Sequence, residues 1–178
     1  RGQARDYDQW AQLGNPGWGW DDVLPYFLKS EDNLALEPSD LHARGGEWRI
    51  EKPRISWEIL DAFMDAAVEA GLPRVDDFNT GNNLGVGYFH VNQKRGWRWN
   101  TSRGFLKPIR NRPNLRVVTG AHTKRVTIKD GKATGVVFDL GGIEQVADAL
   151  SEVILAAGAV ASPTILQLSG IGPGDALR

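Results

Sequence analysis

Apolar residues recur at helical spacing in the first two thirds of this chain and at strand spacing mainly in the last third. Asp6–Leu13 reads as a short helix whose first-turn acids match the positive end of the helix dipole. Gly14-Asn15-Pro16-Gly17 reads as a turn. A second helix starts at Asp21 or Asp22 and runs to about Ser30, with Val23, Leu24, Phe27 and Leu28 on one face and Pro25 in its first turn. Residues 32–46 are polar and aperiodic, a loop ended by Gly45-Gly46, and Glu47–Glu51 is a brief strand. The clearest helix begins near Ser56, repeats Ile59, Leu60, Phe63, Met64, Ala67 and Val68, and stops at Gly71. After an Asn/Asp/Gly-rich loop, Val86, Tyr88, His90 and Asn92 alternate as in a strand. Thr101 or Ser102 caps a helix to about Arg110.

The last third predicts short strands at Leu115–Thr119, His122–Lys129, Ala133–Asp139, Glu144–Asp148 and Glu152–Ala156. Asp130-Gly131 between two of them is a hairpin signal. The final strand is expected to be buried and runs into Gly158 and an apolar helix. Ser162 is placed to cap that helix and Pro163 to occupy its first position. Small residues before a helix N-terminus let a backbone approach a phosphate or another anion. By itself such a strand–Gly–helix turn also occurs in many α/β proteins that bind nothing there.

Composition narrows the classes. With 178 residues the chain can bury one domain and an appended piece. Its net charge of −1, from 21 basic and 22 acidic residues, gives no electrostatic footprint for nucleic acid. Lys94-Arg95-Gly96-Trp97-Arg98-Trp99 reads as a solvated hairpin end. Without cysteine, disulfides and thiolate metal sites are excluded, and His42, His90 and His122 lack metal-ligand spacing. No apolar run approaches the ~20 residues that span a bilayer, and a cytoplasmic location is the default expectation. The 7 tryptophans read first as loop anchors, with stacking on a bound aromatic ring as the functional alternative. Of the histidines, His90 is expected to line a pocket, His122 to be structural in a surface hairpin, and His42 to be solvated in its polar loop.

Gly158-Ala159-Val160-Ala161-Ser162-Pro163-Thr164-Ile165-Leu166-Gln167-Leu168-Ser169-Gly170-Ile171-Gly172 resembles the second diagnostic motif of the glucose–methanol–choline (GMC) family of flavin oxidoreductases. Gly2 and Asp8 look like the tail of that family's first motif, and Asp6–Trp10, Gly14–Phe27 and Lys29–Glu31 like the segment after it. Arg112–Val117 and Ala133–Val136 also fall where the family has similar residues, and the flavour is choline-dehydrogenase-like. The resemblance implies an α+β (α/β family) chain: a partial FAD-binding domain of Rossmann type with part of an inserted substrate domain. Residues 1–50 would be lid and connecting helices, 51–110 part of the substrate domain, and 111–178 the returning part of the FAD-binding domain.

The cofactor it implies is FAD, and the substrate a small-molecule alcohol, choline-like or other. The family's adenine contact, made through main chain by a residue that is normally Val, aligns with Thr123. Ala156, Ala157 and Gly158 match the Ala-Ala-Gly that passes the adenosine and pyrophosphate. For a trimethylammonium substrate, Tyr88, Trp97 and Trp99 are candidates for an aromatic cage. Asn15–Trp20 is a candidate cover over the flavin. No Gly-x-Gly-x-x-Gly after a strand is present, and no residue here matches the family's catalytic histidine. The chain therefore reads as an internal part of a longer enzyme, catalytic residues none, with a catalytically inert piece as the alternative.

Overall fold

In a computed structural model, which describes residues 1–175, the chain divides into two compact units, Arg1–Leu115 and the stretch from Arg116 onward. The last three positions of the expected 111–178 piece lie outside the described residues.

The first unit opens with α1 (Ala4–Gln12) and α2 (Trp20–Ser30). Asp6 accepts a bond from the Gln3 amide at 2.9 Å, closing the start of α1. The start of α2 is closed from a distance, because Asp8 on α1 accepts from the Trp20 amide at 2.9 Å. Asp22 reaches back to the Gly19 amide at 3.2 Å. Pro25 lies in the second turn of α2 rather than the first, so the helix goes without one i→i−4 bond there. Aromatic edges fasten the pair: Tyr7 packs on Trp10 at 5.3 Å and on Phe27 at 5.7 Å, and Trp10 on Trp18 at 6.0 Å.

The loop expected over 32–46 starts with a strand. β1 (Glu31–Asn33) pairs in parallel with β2 (Trp48–Ile50), Glu31 opposite Trp48 and Asn33 opposite Ile50. Gly46 is required here, since a Cβ would sit 2.3 Å from the Ser30 carbonyl. α3 (Glu58–Glu69) has the expected apolar period, yet only Met64 on it is buried. Ile59 and Phe63 remain 74% and 66% exposed.

The alternating stretch Val86–Asn92 is not a strand. It makes two single bridges, Val86 with Arg74 and Val91 with Glu51, and regular pairing begins only at β3 (Gln93–Lys94). Glycine sets the spacing: a Cβ at Gly87 would fall 2.0 Å from the Val75 carbonyl oxygen, so backbone packs directly on backbone. β3 turns through Arg95 and Gly96, both at positive φ, into β4 (Trp97–Arg98), the solvated hairpin end read from sequence. The following helix is a π-helix over Ser102–Leu106 continued by α4 (Lys107–Ile109). Its start is capped by Asn100, whose side-chain oxygen accepts from the Arg103 amide at 3.0 Å, and not by Thr101 or Ser102. Gly104 lets this widened turn approach the residue just before β2, where a Cβ would lie 2.8 Å from the Glu47 carbonyl oxygen.

The second unit is an antiparallel meander, β5 (Ala121–Lys129), β6 (Lys132–Leu140) and β7 (Ile143–Asp148), in that spatial order. Asp130-Gly131 and Gly141-Gly142 connect it, each pair with positive φ at both positions as a type I′ turn requires. Val126 and Val137 are its buried apolar residues. α5 (Gly158–Leu168) follows. Neither Leu115–Thr119 nor Glu152–Ala156 is a strand, because no described residue pairs with either. The second was expected to be buried as well, but Ile154 is 78% exposed.

Candidate functional site

In the second unit, the Ala156-Ala157-Gly158 turn delivers an extended segment into α5. Gly158 has φ +90°, a conformation costly for any residue with a Cβ, although the space beside it is open. α5 begins at Gly158, so Ser162 and Pro163 lie in its second turn and not at its cap and first position. From there the Ser162 hydroxyl reaches back and accepts from the Ala157 amide at 3.0 Å. The first-turn N–H groups of a helix have no intrahelical acceptor. Here they are flanked by Gly158 and Ala159, both exposed, so a ligand oxygen can reach them.

Thr123 lies on β5, the edge of the meander, where register shifts between Thr123 and Arg125. A bulge on an edge strand interrupts the ladder and frees main-chain groups. Ser169 ties this strand to the helix: its hydroxyl accepts from the Val126 amide at 2.8 Å and donates to the Ile165 carbonyl at 2.6 Å. Ala156, Ala157 and Gly158 are thus joined by chain continuity, and Thr123 is linked to them through packing of α5 on β5. His122, next to Thr123, is exposed.

The first unit holds two hollows that share Asp76, Tyr88 and His90. One, about 330 Å³, is bounded by Lys52, Arg54, Asp61 and Arg74. The Tyr88 hydroxyl donates to Asp61 at 2.8 Å and accepts from the Trp57 amide at 3.3 Å. Removal from water and the neighbouring Asp61 carboxylate raise the Tyr88 hydroxyl above its ordinary value, against the Trp57 bond. Burial lowers the His90 imidazole below its ordinary value, Asp77 and Asp76 work against this, and Lys52 and His42 add to it. His90 is therefore neutral near pH 7.

The other hollow, about 190 Å³, borders His42, which is buried and not solvated as its polar surroundings in sequence suggest. Its Nδ1 lies 3.0 Å from Glu31 Oε1 and its Nε2 2.9 Å from Asp77 Oδ2. The partners stand 11 and 35 residues away in the chain, which is why no local signal announces them. Burial pushes the Asp77 carboxyl up, but bonds from the Asn79 amide and the His42 ring hold it below its ordinary value.

Each of the three candidate cage rings has a partner of its own. Lys94 covers Trp99 at 4.8 Å, Arg103 covers Trp97 at 5.8 Å, and Tyr88 faces Asp61. Trp99 is a loop anchor, donating to the Glu47 carbonyl at 2.7 Å. In the candidate cover, Trp18 packs on Trp10 and remains half exposed. Among the described residues, no three His, Cys, Asp or Glu side chains form a metal cluster, and no helix is long and apolar enough to cross a membrane.

Comparison with known proteins agrees with the motif. A family model described as GMC oxidoreductase matches residues 1–176. An oxygen-dependent choline dehydrogenase of Burkholderia pseudomallei is 41% identical over 182 residues, covering 100% of this chain and 32% of that protein. An alcohol dehydrogenase (acceptor) of Pseudomonas putida is 36% identical over 180 residues, covering 100% of this chain and 33% of that protein. Among solved structures, pyridoxine 4-oxidase from Mesorbium loti superimposes with a TM-score of 0.89 at 33% identity, over 99% of this chain and 35% of that one. An FAD-dependent oxidoreductase from Chaetomium thermophilum gives 0.89 at 31% identity, over 98% and 33%. The chain spans about a third of the length of the curated relatives it matches.

Proposed function

The chain belongs to the GMC oxidoreductase family, and from that premise we propose that the protein is an FAD-dependent oxidoreductase that oxidises a small-molecule alcohol, choline-like or other, to an aldehyde or ketone. The names of its relatives favour a choline- or alcohol-dehydrogenase type. FAD is the cofactor of the family, and when bound it supplies the acceptor for the hydride that leaves the alcohol carbon. Residues 1–50 are read as lid and connecting helices, 51–110 as part of a substrate domain, and 111–178 as part of the FAD-binding domain.

The observation that carries this reading is the turn into α5. Its open N–H groups, beside a glycine at φ +90°, suit a pyrophosphate, which is anionic and needs close backbone approach. Thr123 would hold the adenine through main chain from the bulged edge of β5. Ala156 and Ala157 would keep side chains clear of the adenosine. None of the three histidines is assigned as the base: His42 is engaged by two carboxylates, His122 is exposed on β5, and His90 shares its hollow with Tyr88. In this reading the chain's own residues hold and orient the cofactor and do not move the substrate proton. The finer alternative, a piece inert by itself, is supported by the wide exposure of apolar side chains.

Titration with FAD, followed by flavin absorbance and fluorescence, tests the reading. Gly158→Val should weaken FAD binding by tenfold or more, because ~2 kcal/mol of backbone strain would displace the turn. Thr123→Val, which keeps the main chain, should leave binding within about twofold of the parent. Equal affinity of the Gly158 variant and the parent would overturn the assignment of this turn.

A further inference from the structure

The most heavily buried polar cluster in the described residues has no part in that reading. Glu31, Asn33 and His42 are its buried members, with Asp77 and Arg1 closing it. We propose that His42 is a doubly donating, positively charged clasp that ties β1 to the 76–79 turn and so sets the wall carrying Tyr88 and His90.

The geometry leaves the ring few alternatives. A neutral imidazole has one N–H, but here each ring nitrogen faces a carboxylate oxygen, at 3.0 Å and 2.9 Å. With a neutral ring, one carboxylate would meet a lone pair. The rival arrangement has Nδ1 accepting from Arg1 Nη2 at 3.1 Å or Asn33 Nδ2 at 3.2 Å. Each of these nitrogens has a second hydrogen besides the one given to the Leu41 carbonyl or to Glu31 Oε1 at 3.2 Å, but that arrangement still sets the Nδ1 lone pair 3.0 Å from Glu31 Oε1. Asn33 cannot be turned to offer oxygen instead, since its Oδ1 accepts from the Ala35 and Leu36 amides at 2.9 Å and 3.1 Å. Glu31 is equally fixed, with Oε2 accepting from the Ala43 amide at 2.9 Å.

Charge points the same way. Arg1 and a charged His42 balance Glu31 and Asp77, whereas a neutral ring would leave an uncompensated negative charge out of water. The further groups facing the cluster are Asp76 and His90 from the 76–90 stretch, and Lys52 beyond them. The grip is passed on by contact. Asp77 is followed by Phe78, which packs on Phe89 at 4.8 Å, and Phe89 is flanked by Tyr88 and His90. Those two residues line both hollows.

Nitrogen-15 spectra of the histidine rings in the whole chain test the protonation state at neutral pH. Both His42 nitrogens should carry hydrogen, and a lone pair on Nδ1 would overturn the proposal. The positioning role is read at His90 in His42→Gln, with His122→Gln as control. Removing the clasp and its charge should raise the His90 titration midpoint, while the control leaves it in place. An unmoved or lowered His90 midpoint in folded His42→Gln would overturn the positioning role. If that variant does not fold, Asp77→Asn keeps the ring but removes a carboxylate that raises His90, so its His90 midpoint should fall, and an unmoved or raised midpoint there would overturn the role. Neither readout depends on FAD, so failure here and failure of the cofactor turn are distinguishable.

Discussion

At Gly87 a Cβ would lie 2.0 Å from the Val75 carbonyl oxygen, whereas at Gly158 it would meet nothing within 4 Å but would sit on a backbone at φ +90°. The first position is closed by packing and the second by conformation. Gly87→Ala must push two backbones apart and should lower stability by about 1–3 kcal/mol, measured by urea unfolding. Asp77 makes a separate prediction. Its folded carboxyl is held below the ordinary value, so it contributes stability that is present above the unfolded value of about 4 and lost as pH falls through the lower folded one. Asp77→Asn should therefore flatten the acid side of the stability profile; an unchanged slope between pH 5 and pH 2 would count against the His42–Asp77 bond. At this scale the sequence spoke where the signal is local. Gly158 and its neighbours stand in one contiguous motif, so the glycine turn into α5 is legible. His42 looked solvated because its surroundings in sequence are polar, and only folding brings Glu31 and Asp77 to the two sides of its ring.

Among the elements, those that succeed on their own residues are the ones sequence reasoning located. α3 has its period and its Gly71 stop, and both long hairpins carry residues suited to positive φ. Leu115–Thr119 and Glu152–Ala156 have strand-like composition, but a strand exists only with a ladder partner, and composition does not supply one. The π-helical turn has a comparable origin. It follows from close approach of Gly104 to the Glu47 carbonyl and from Phe105 stacking on Trp48 at 5.9 Å, both contacts across more than fifty positions. α3 yields a prediction of its own. Met64 is buried and Phe63 largely exposed, so Met64→Ala should cost about 2 kcal/mol and Phe63→Ala well under 1. Reversal of that order in denaturant unfolding would mean that the outer face of α3 is covered in solution.

For the molecule as a whole, the accessible surface is 13456 Å². A single globule of this mass exposes roughly 8,600 Å², and two separate globules about the size of the two units roughly 10,000 Å². The excess is apolar in many places, including Ile59, Phe63, Ile143 and Val146. Because unfolding releases correspondingly less new surface, the urea m-value should be about three quarters of that usual for this length. An ordinary m-value would show that the isolated chain buries these faces, by association or rearrangement, and sedimentation would tell which.

The β5–β6–β7 meander has a consequence in time. Its pairings join residues adjacent along the chain, through turns preset for the twist of the strands. Loop closure over two residues costs little entropy, and hairpins of this kind form in about 1–10 μs. A longer-range contact of the same unit, Val126 with Ser169 across 43 positions, must wait for a slower search. The meander is thus the natural nucleus of its unit. Substitution of Gly131 or Gly141 by valine should act mainly on the folding rate, with φ-values near one, while loss of the Ser169 hydroxyl that joins α5 to β5 should act mainly on the unfolding rate.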